Sequence, residues 1–149
     1  MPLTPYACSN CGHWQKYFAS PPDCPVCTDT RNDLPHDGWH FRPAEEVRRM
    51  LKGGWRRLER DMVAFSTSPP FGLNGTGWLL LHEDGNVAFE AAPFYTDDML
   101  AEIGRLGGIR ILASSHVHGY GALWQLQDVF QPEVLAIQKE DLRMTKAFR

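Results

Sequence analysis

Four cysteines in two pairs stand at the start of this 149-residue chain: Cys8 and Cys11 in Cys8-Ser9-Asn10-Cys11-Gly12, and Cys24 and Cys27 in Cys24-Pro25-Val26-Cys27. They are its only cysteines, and twelve residues separate the pairs. Two residues between cysteines let both thiolates of a tight turn point at one centre, and two such turns supply the tetrahedral sulfur cage of a structural metal. The spacing therefore predicts a metal-binding knuckle over residues 1–34.

Two disulfides, or a single redox-active pair, are the competing readings of four cysteines. Met1-Pro2-Leu3-Thr4-Pro5 has neither a basic n-region nor an apolar h-region, so the expected compartment is the cytosol, where thiols stay reduced. Gly12 and Pro25 suit the reversed turns of a knuckle that resembles the zinc-ribbon and rubredoxin-like class. Zinc and iron both take a four-sulfur cage, so the expected cofactor is zinc with iron as the alternative. A cage with all four positions filled by sulfur has no opening for catalysis. Its expected role is structural, because between Pro5 and Asp29 only Tyr6, Trp14, Tyr17, Phe18 and Val26 are large and apolar, too few for a self-sufficient core.

The length allows one ordinary domain beside the knuckle, and no apolar run of ~18 residues is present to cross a membrane as a helix. The net charge of −3 conceals an asymmetry, since residues 42–60 hold seven basic side chains against three acidic ones. Val47, Met50, Leu51, Trp55, Leu58 and Met62 recur at helical spacing there, which predicts a connector and basic amphipathic helix over 35–62, bent or split at Gly53-Gly54. Glu45 is placed to pair with Arg48 and Arg49, and no stacking aromatics interleave with the charges. Contact with nucleic acid is accordingly disfavoured.

Beyond Met62 the texture alternates. Val63-Ala64-Phe65-Ser66 reads as a strand, and the runs 77–82 and 86–91 read as a hairpin turning at Glu83-Asp84-Gly85. Thr96 caps a helix with Met99, Leu100, Ile103 and Leu106 inward, stopped by Gly107-Gly108. A strand over 109–114, a helix over about 120–130 and a strand over 134–137 follow, an α/β order with parallel crossovers.

Ser115-His116-Val117-His118-Gly119 lies between a strand and a helix, at the kind of strand end where layered α/β sheets bind ligands. Two histidines at i and i+2 form a common nucleus of a zinc site, and His116 and His118 are candidate ligands of a second zinc. With the preceding hairpin, capped helix and strand, the run from Ser115 to Gln125 resembles the metallo-β-lactamase superfamily, in particular members carrying a cysteine knuckle ahead of the fold. The resemblance extends from Cys8 to about Phe148. It implies that residues 63–149 form half of an αββα domain, a mixed sheet with flanking helices.

The superfamily motif is His-x-His-x-Asp-His. His116 and His118 match its first two ligands, while Tyr120 stands at the Asp position and Gly121 at the third His. No histidine follows His118. The resemblance thus implies a hydrolase acting on a small molecule through metal-activated water, truncated or degenerate and weakly active alone, with no catalytic residue assignable. A half-fold is expected to self-associate or take a partner chain that completes its sheet. The alternative is a non-catalytic zinc-ribbon module that contacts protein or nucleic acid.

Overall fold

A computed structural model describes residues 2–31, 38–115 and 117–141. The amino-terminal sheet has three antiparallel strands in the order β2-β1-β3: β1 (Thr4–Cys8), β2 (Trp14–Tyr17) and β3 (Phe41–Pro43). β3 lies in the stretch expected to be a connector. Its pairing with Tyr6, Ala7 and Cys8 ties that stretch back to the first cysteine turn.

The helix expected within residues 35–62 ends at Met50. α1 spans Ala44–Met50, with Pro43 at its amino-terminal boundary, and residues Lys52–Glu59 form β4 instead. The reason is tertiary. β4 pairs antiparallel with β5 (Met62–Ser68), and Gly53 passes so close to Thr96 and Met99 that a Cβ would lie 2.2 Å from the Thr96 hydroxyl. The basic side chains of α1 are absorbed locally, Arg48 and Arg49 by Glu45, and Arg42 of β3 pairs with Glu46.

β4 opens a six-stranded sheet that runs in sequence order through β5, β6 (Gly77–Leu80), β7 (Val87–Phe89), β8 (Ile111–Ala113) and β9 (Val134–Ala136). β4 to β7 are antiparallel, with the expected β6–β7 turn at Glu83-Asp84-Gly85, and β7, β8 and β9 are parallel. Parallel neighbours need crossovers, and the two helices supply them: α2 (Asp97–Arg105) and α3 (Leu123–Phe130). The Asp98 carboxylate accepts from the Thr96 hydroxyl and from Met99 N–H, which fixes the start of α2. α3 begins later than Tyr120, which is buried in the loop ahead of it.

Alternation along each strand sorts side chains onto two faces. Val63, Leu79, Ala88 and Leu112 align across the sheet and are buried beneath Met99 and Ile103 of α2 and Leu123, Trp124 and Leu126 of α3. The same apolar cluster takes in all four cysteines with Trp14, Val26 and Phe71. The resulting architecture is mixed α/β with a cysteine cluster at the amino terminus. Among the described residues no helix is long and apolar enough to cross a membrane.

Candidate metal centre

The two cysteine turns face one another, and all four Sγ atoms lie within 4.8 Å of each other. Cys8 Sγ is 3.8 Å from Cys27 Sγ and Cys11 Sγ is 3.5 Å from Cys24 Sγ, so the turns interleave rather than stack. A tetrahedron with ~2.3 Å zinc–sulfur arms has edges of about 3.8 Å. The cage has the size that zinc requires, and none of the cysteines is disulfide-bonded.

Local backbone builds the cage. Gly12, at φ +84°, turns the chain after Cys11 so that His13 N–H points back at Cys11 Sγ from 3.3 Å. In the second turn Cys27 N–H points at Cys24 Sγ from 3.5 Å, and the Asn10 amide donates to Cys27 Sγ at 3.2 Å. Such donors stabilise thiolate rather than thiol. Hydrogen bonds from the neighbouring thiols, with that from Asn10, hold Cys27 far below its ordinary range, while the same neighbours push buried Cys11 well above its own. Four crowded sulfurs cannot all carry charge unless a cation sits among them.

His13 lies beside the cage and is fully buried, its Nε2 3.3 Å from the Tyr17 hydroxyl. Burial pulls its pKa down to about 4, so the ring is neutral. The cage is fixed to the rest of the molecule at both turns. Gly72 and Pro93 press on the Cys11–Gly12 turn so closely that a Cβ on Gly72 would lie 2.7 Å from Gly12 N. Behind the second turn, Arg31 bridges Asp29 and the buried carboxylate of Asp141.

The histidine segment occupies a second distinctive place. His116 lies outside the described residues, as does the side chain of His118, so the expected histidine pair falls outside what the structure describes. What it does place is the frame around them. Ser114 and Ser115 follow β8 at the carboxyl ends of three parallel strands, and Val117–Gly119 forms one turn of 3₁₀ helix. Glu90, directly after β7, sits at φ +58°, accepts from the Ser114 hydroxyl at 3.0 Å and from Ser115 N–H at 2.7 Å, and packs against Gly119. Gln138 after β9 donates to Ser115 C=O at 3.0 Å. Glu90 is a residue that sequence reasoning missed, although a carboxylate closing the apolar run 86–91 at a strand end was a usable signal.

Tyr120, two residues after His118, is buried and donates its hydroxyl to Asp141. It faces inward and is committed to that bond. His82, at the hairpin turn, is exposed, with its ring nitrogen accepting from Asp84 N–H. His36 lies outside the described residues.

No family model matches the chain. Over 132 residues, 87% of its length, the chain is 27% identical to a Bacillus subtilis (strain 168) protein described as uncharacterized protein YmaE. The chain spans about half the length of that relative, 48% of it.

Proposed function

We propose that this chain is the metal-stabilised amino-terminal half of a metal-dependent hydrolase resembling the metallo-β-lactamase superfamily. Its reactive edge would be the Ser115–Gly119 segment. The observation that carries the reading is the position of that segment at the shared carboxyl edge of β7, β8 and β9, cross-braced by Glu90 and Gln138. Ligands bind at such edges in layered α/β sheets. The four cysteines would hold zinc, or iron, as a folding element, in a compartment that keeps thiols reduced, such as the cytosol. His116 and His118 would contribute two of the ligands of a second metal, which when bound activates water for attack on a small molecule.

One observation favours a second reading, a non-catalytic metal-ribbon module whose ancestral chemistry is lost. Tyr120, which would stand at the Asp position of the motif if the resemblance holds, is bonded to Asp141 inside the protein. Zinc titration of the reduced chain separates the two. A second equivalent that disappears in the His116→Ala, His118→Ala variant supports the hydrolase reading. A single equivalent unchanged by that variant supports the metal-ribbon module.

A further inference from the structure

One guanidinium reaches both sides of the histidine segment. Arg31 lies just past Cys27, and its anchor belongs to the second cysteine turn. Asp29 N–H donates to Val26 C=O at 3.2 Å, and the Asp29 carboxylate accepts from Arg31 Nε and Nη2, each at 2.8 Å. From there two arms diverge. Nη2 also donates to the fully buried Asp141, whose other carboxylate oxygen accepts from the Tyr120 hydroxyl. Nη1 donates to the Gln138 side-chain oxygen, and the Gln138 amide donates to Ser115 C=O at 3.0 Å. Ser115 immediately precedes His116 and Tyr120 follows Gly119, so the arms close on the 116–119 stretch from its two ends.

We propose that Arg31 is a positioning residue through which metal in the cysteine cage sets the geometry of the 116–119 stretch. The two-toothed bond to Asp29 fixes the plane of the guanidinium, and with it the direction of both arms. Asp29 is in turn only as fixed as the Cys24–Cys27 turn, because its backbone bond goes to Val26 inside that turn. A cation among the sulfurs holds the turn closed. Without one, four crowded sulfurs relax apart and the anchor of Arg31 moves with them. Linkage makes the effect reciprocal, so that cutting an arm at its far end weakens metal binding in the cage. A competing route exists at the first cysteine turn, where the Cβ position of Gly12 is 3.5 Å from Gly121 Cα. That contact meets the loop beyond Tyr120 and is apolar, whereas the Gln138 arm acts on Ser115, ahead of the histidines. The proposal rests on the cage holding metal and is indifferent to whether His116 and His118 bind a second one.

NMR of the reduced chain tests it, with the cage loaded by one equivalent of zinc and then emptied by chelator. Chelation should shift the Ser115 carbonyl-carbon and Tyr120 amide resonances, and zinc-loaded Arg31→Met should displace both toward their metal-free positions. In Arg31→Met, chelation should move them by less than about a fifth of the wild-type change, the non-additivity of groups on one route. Arg31→Met with Asp141→Asn, which leaves no uncompensated buried charge, should give the same result where the single variant folds poorly. Chelator competition supplies the reciprocal measurement and decides the matter where the metal-free chain unfolds. Gln138→Ala should weaken zinc binding at least ~3-fold in the wild type and leave it unchanged in the Arg31→Met background. Resonances that ignore chelation in the wild type overturn the proposal, as does a zinc affinity indifferent to Gln138→Ala. Shifts of equal size in wild type and Arg31→Met also overturn it, and assign the coupling to Gly12 and Gly121. These three failures leave the cage standing, whereas a chain that takes up no zinc overturns the cage and the coupling together.

Discussion

Arg31 Nη2 lies 2.5 Å from Asp141 Oδ1, joining the second cysteine turn to a fully buried carboxylate 110 residues away. The same carboxylate receives the Tyr120 hydroxyl, and the same guanidinium clamps Asp29 two residues past Cys27. The metal centre and the loop that follows the histidine segment thus share one polar network. Removing the guanidinium leaves Asp141 buried with only a phenol to compensate it, the costly half of an ion pair.

Arg31→Met should therefore destabilise the zinc-loaded chain by about 2 kcal/mol, a figure already reduced because Arg31 itself is partly exposed. Arg31→Met combined with Asp141→Asn should recover at least half of the loss, since no uncompensated charge remains. Urea unfolding of the two single variants and the double variant measures the coupling. Equal losses in all three would mean that the two side chains contribute through packing alone.

Gly72 meets the first cysteine turn from the opposite side. It sits at φ +57°, and a Cβ there would stand 2.7 Å from Gly12 N and 2.9 Å from the Cys11 carbonyl carbon. Backbone on both sides leaves no flexible group to yield, so Gly72→Ala should displace the Cys11–Gly12 turn. The expected outcome is a zinc affinity at least ~10-fold weaker in a chelator competition, with a stability loss of about 2 kcal/mol. Gly54→Ala is the control, because nothing lies within 4 Å of its Cβ position and its φ is ordinary.

These contacts mark the boundary of what the sequence discloses. The cage is local chemistry: cysteines two apart, turned by Gly12, converge because of their own backbone, and their spacing alone predicts it. α2 was equally legible, since Thr96 and the periodic Met99, Leu100 and Ile103 agree with each other. Residues 52–59 were not. Trp55 and Leu58 continue the helical spacing of Val47 and Leu51, yet pairing with β5 and the approach of Gly53 to Met99 make that stretch a strand. Both decisions come from residues beyond the window in which periodicity is read. Glu90 and the Arg31–Asp141 pair escaped for the same reason, as Ser114 and Asp141 are distant in the chain and become neighbours of Glu90 and Arg31 only in the folded molecule.

Tyr95 predicts how stability responds to alkali. Its ring is buried, its hydroxyl accepts from Ala92 N–H at 3.1 Å, and burial raises its pKa above the ordinary value of 10. The unfolded chain gives up this proton near pH 10 while the folded chain retains it. Stability therefore falls as pH rises above 10, by about 1.4 kcal/mol per pH unit from this group until the folded phenol also ionises. Urea midpoints at pH 9 and pH 11 measure the slope. Tyr95→Phe should lessen it by this group's share, since burial raises Tyr17 and Tyr120 as well, at a cost of about 1 kcal/mol at neutral pH for the Ala92 N–H left without a partner.

Removal of the metal reaches furthest, because Cys8, Cys11, Cys24 and Cys27 belong to the same apolar cluster as Phe71, Trp124 and the face of the sheet under the helices. A knuckle tethered only by a linker would unfold alone on chelation and leave the sheet's melting point unchanged. Here the Cys11–Gly12 turn is wedged against Gly72 and Pro93, and β2 lies against α3 with Lys16 paired to Asp128 at 2.8 Å. Metal binding at the cage should consequently stabilise the whole chain. Chelation under reducing conditions should lower a single cooperative melting transition by at least roughly 10 °C, equivalent to about 3 kcal/mol for a chain of this length. Cys24→Ser should start from the lowered value and show no further response to chelator. Two separate transitions, with only the smaller one moved by chelator, would instead establish that the cage stabilises the knuckle and nothing beyond it.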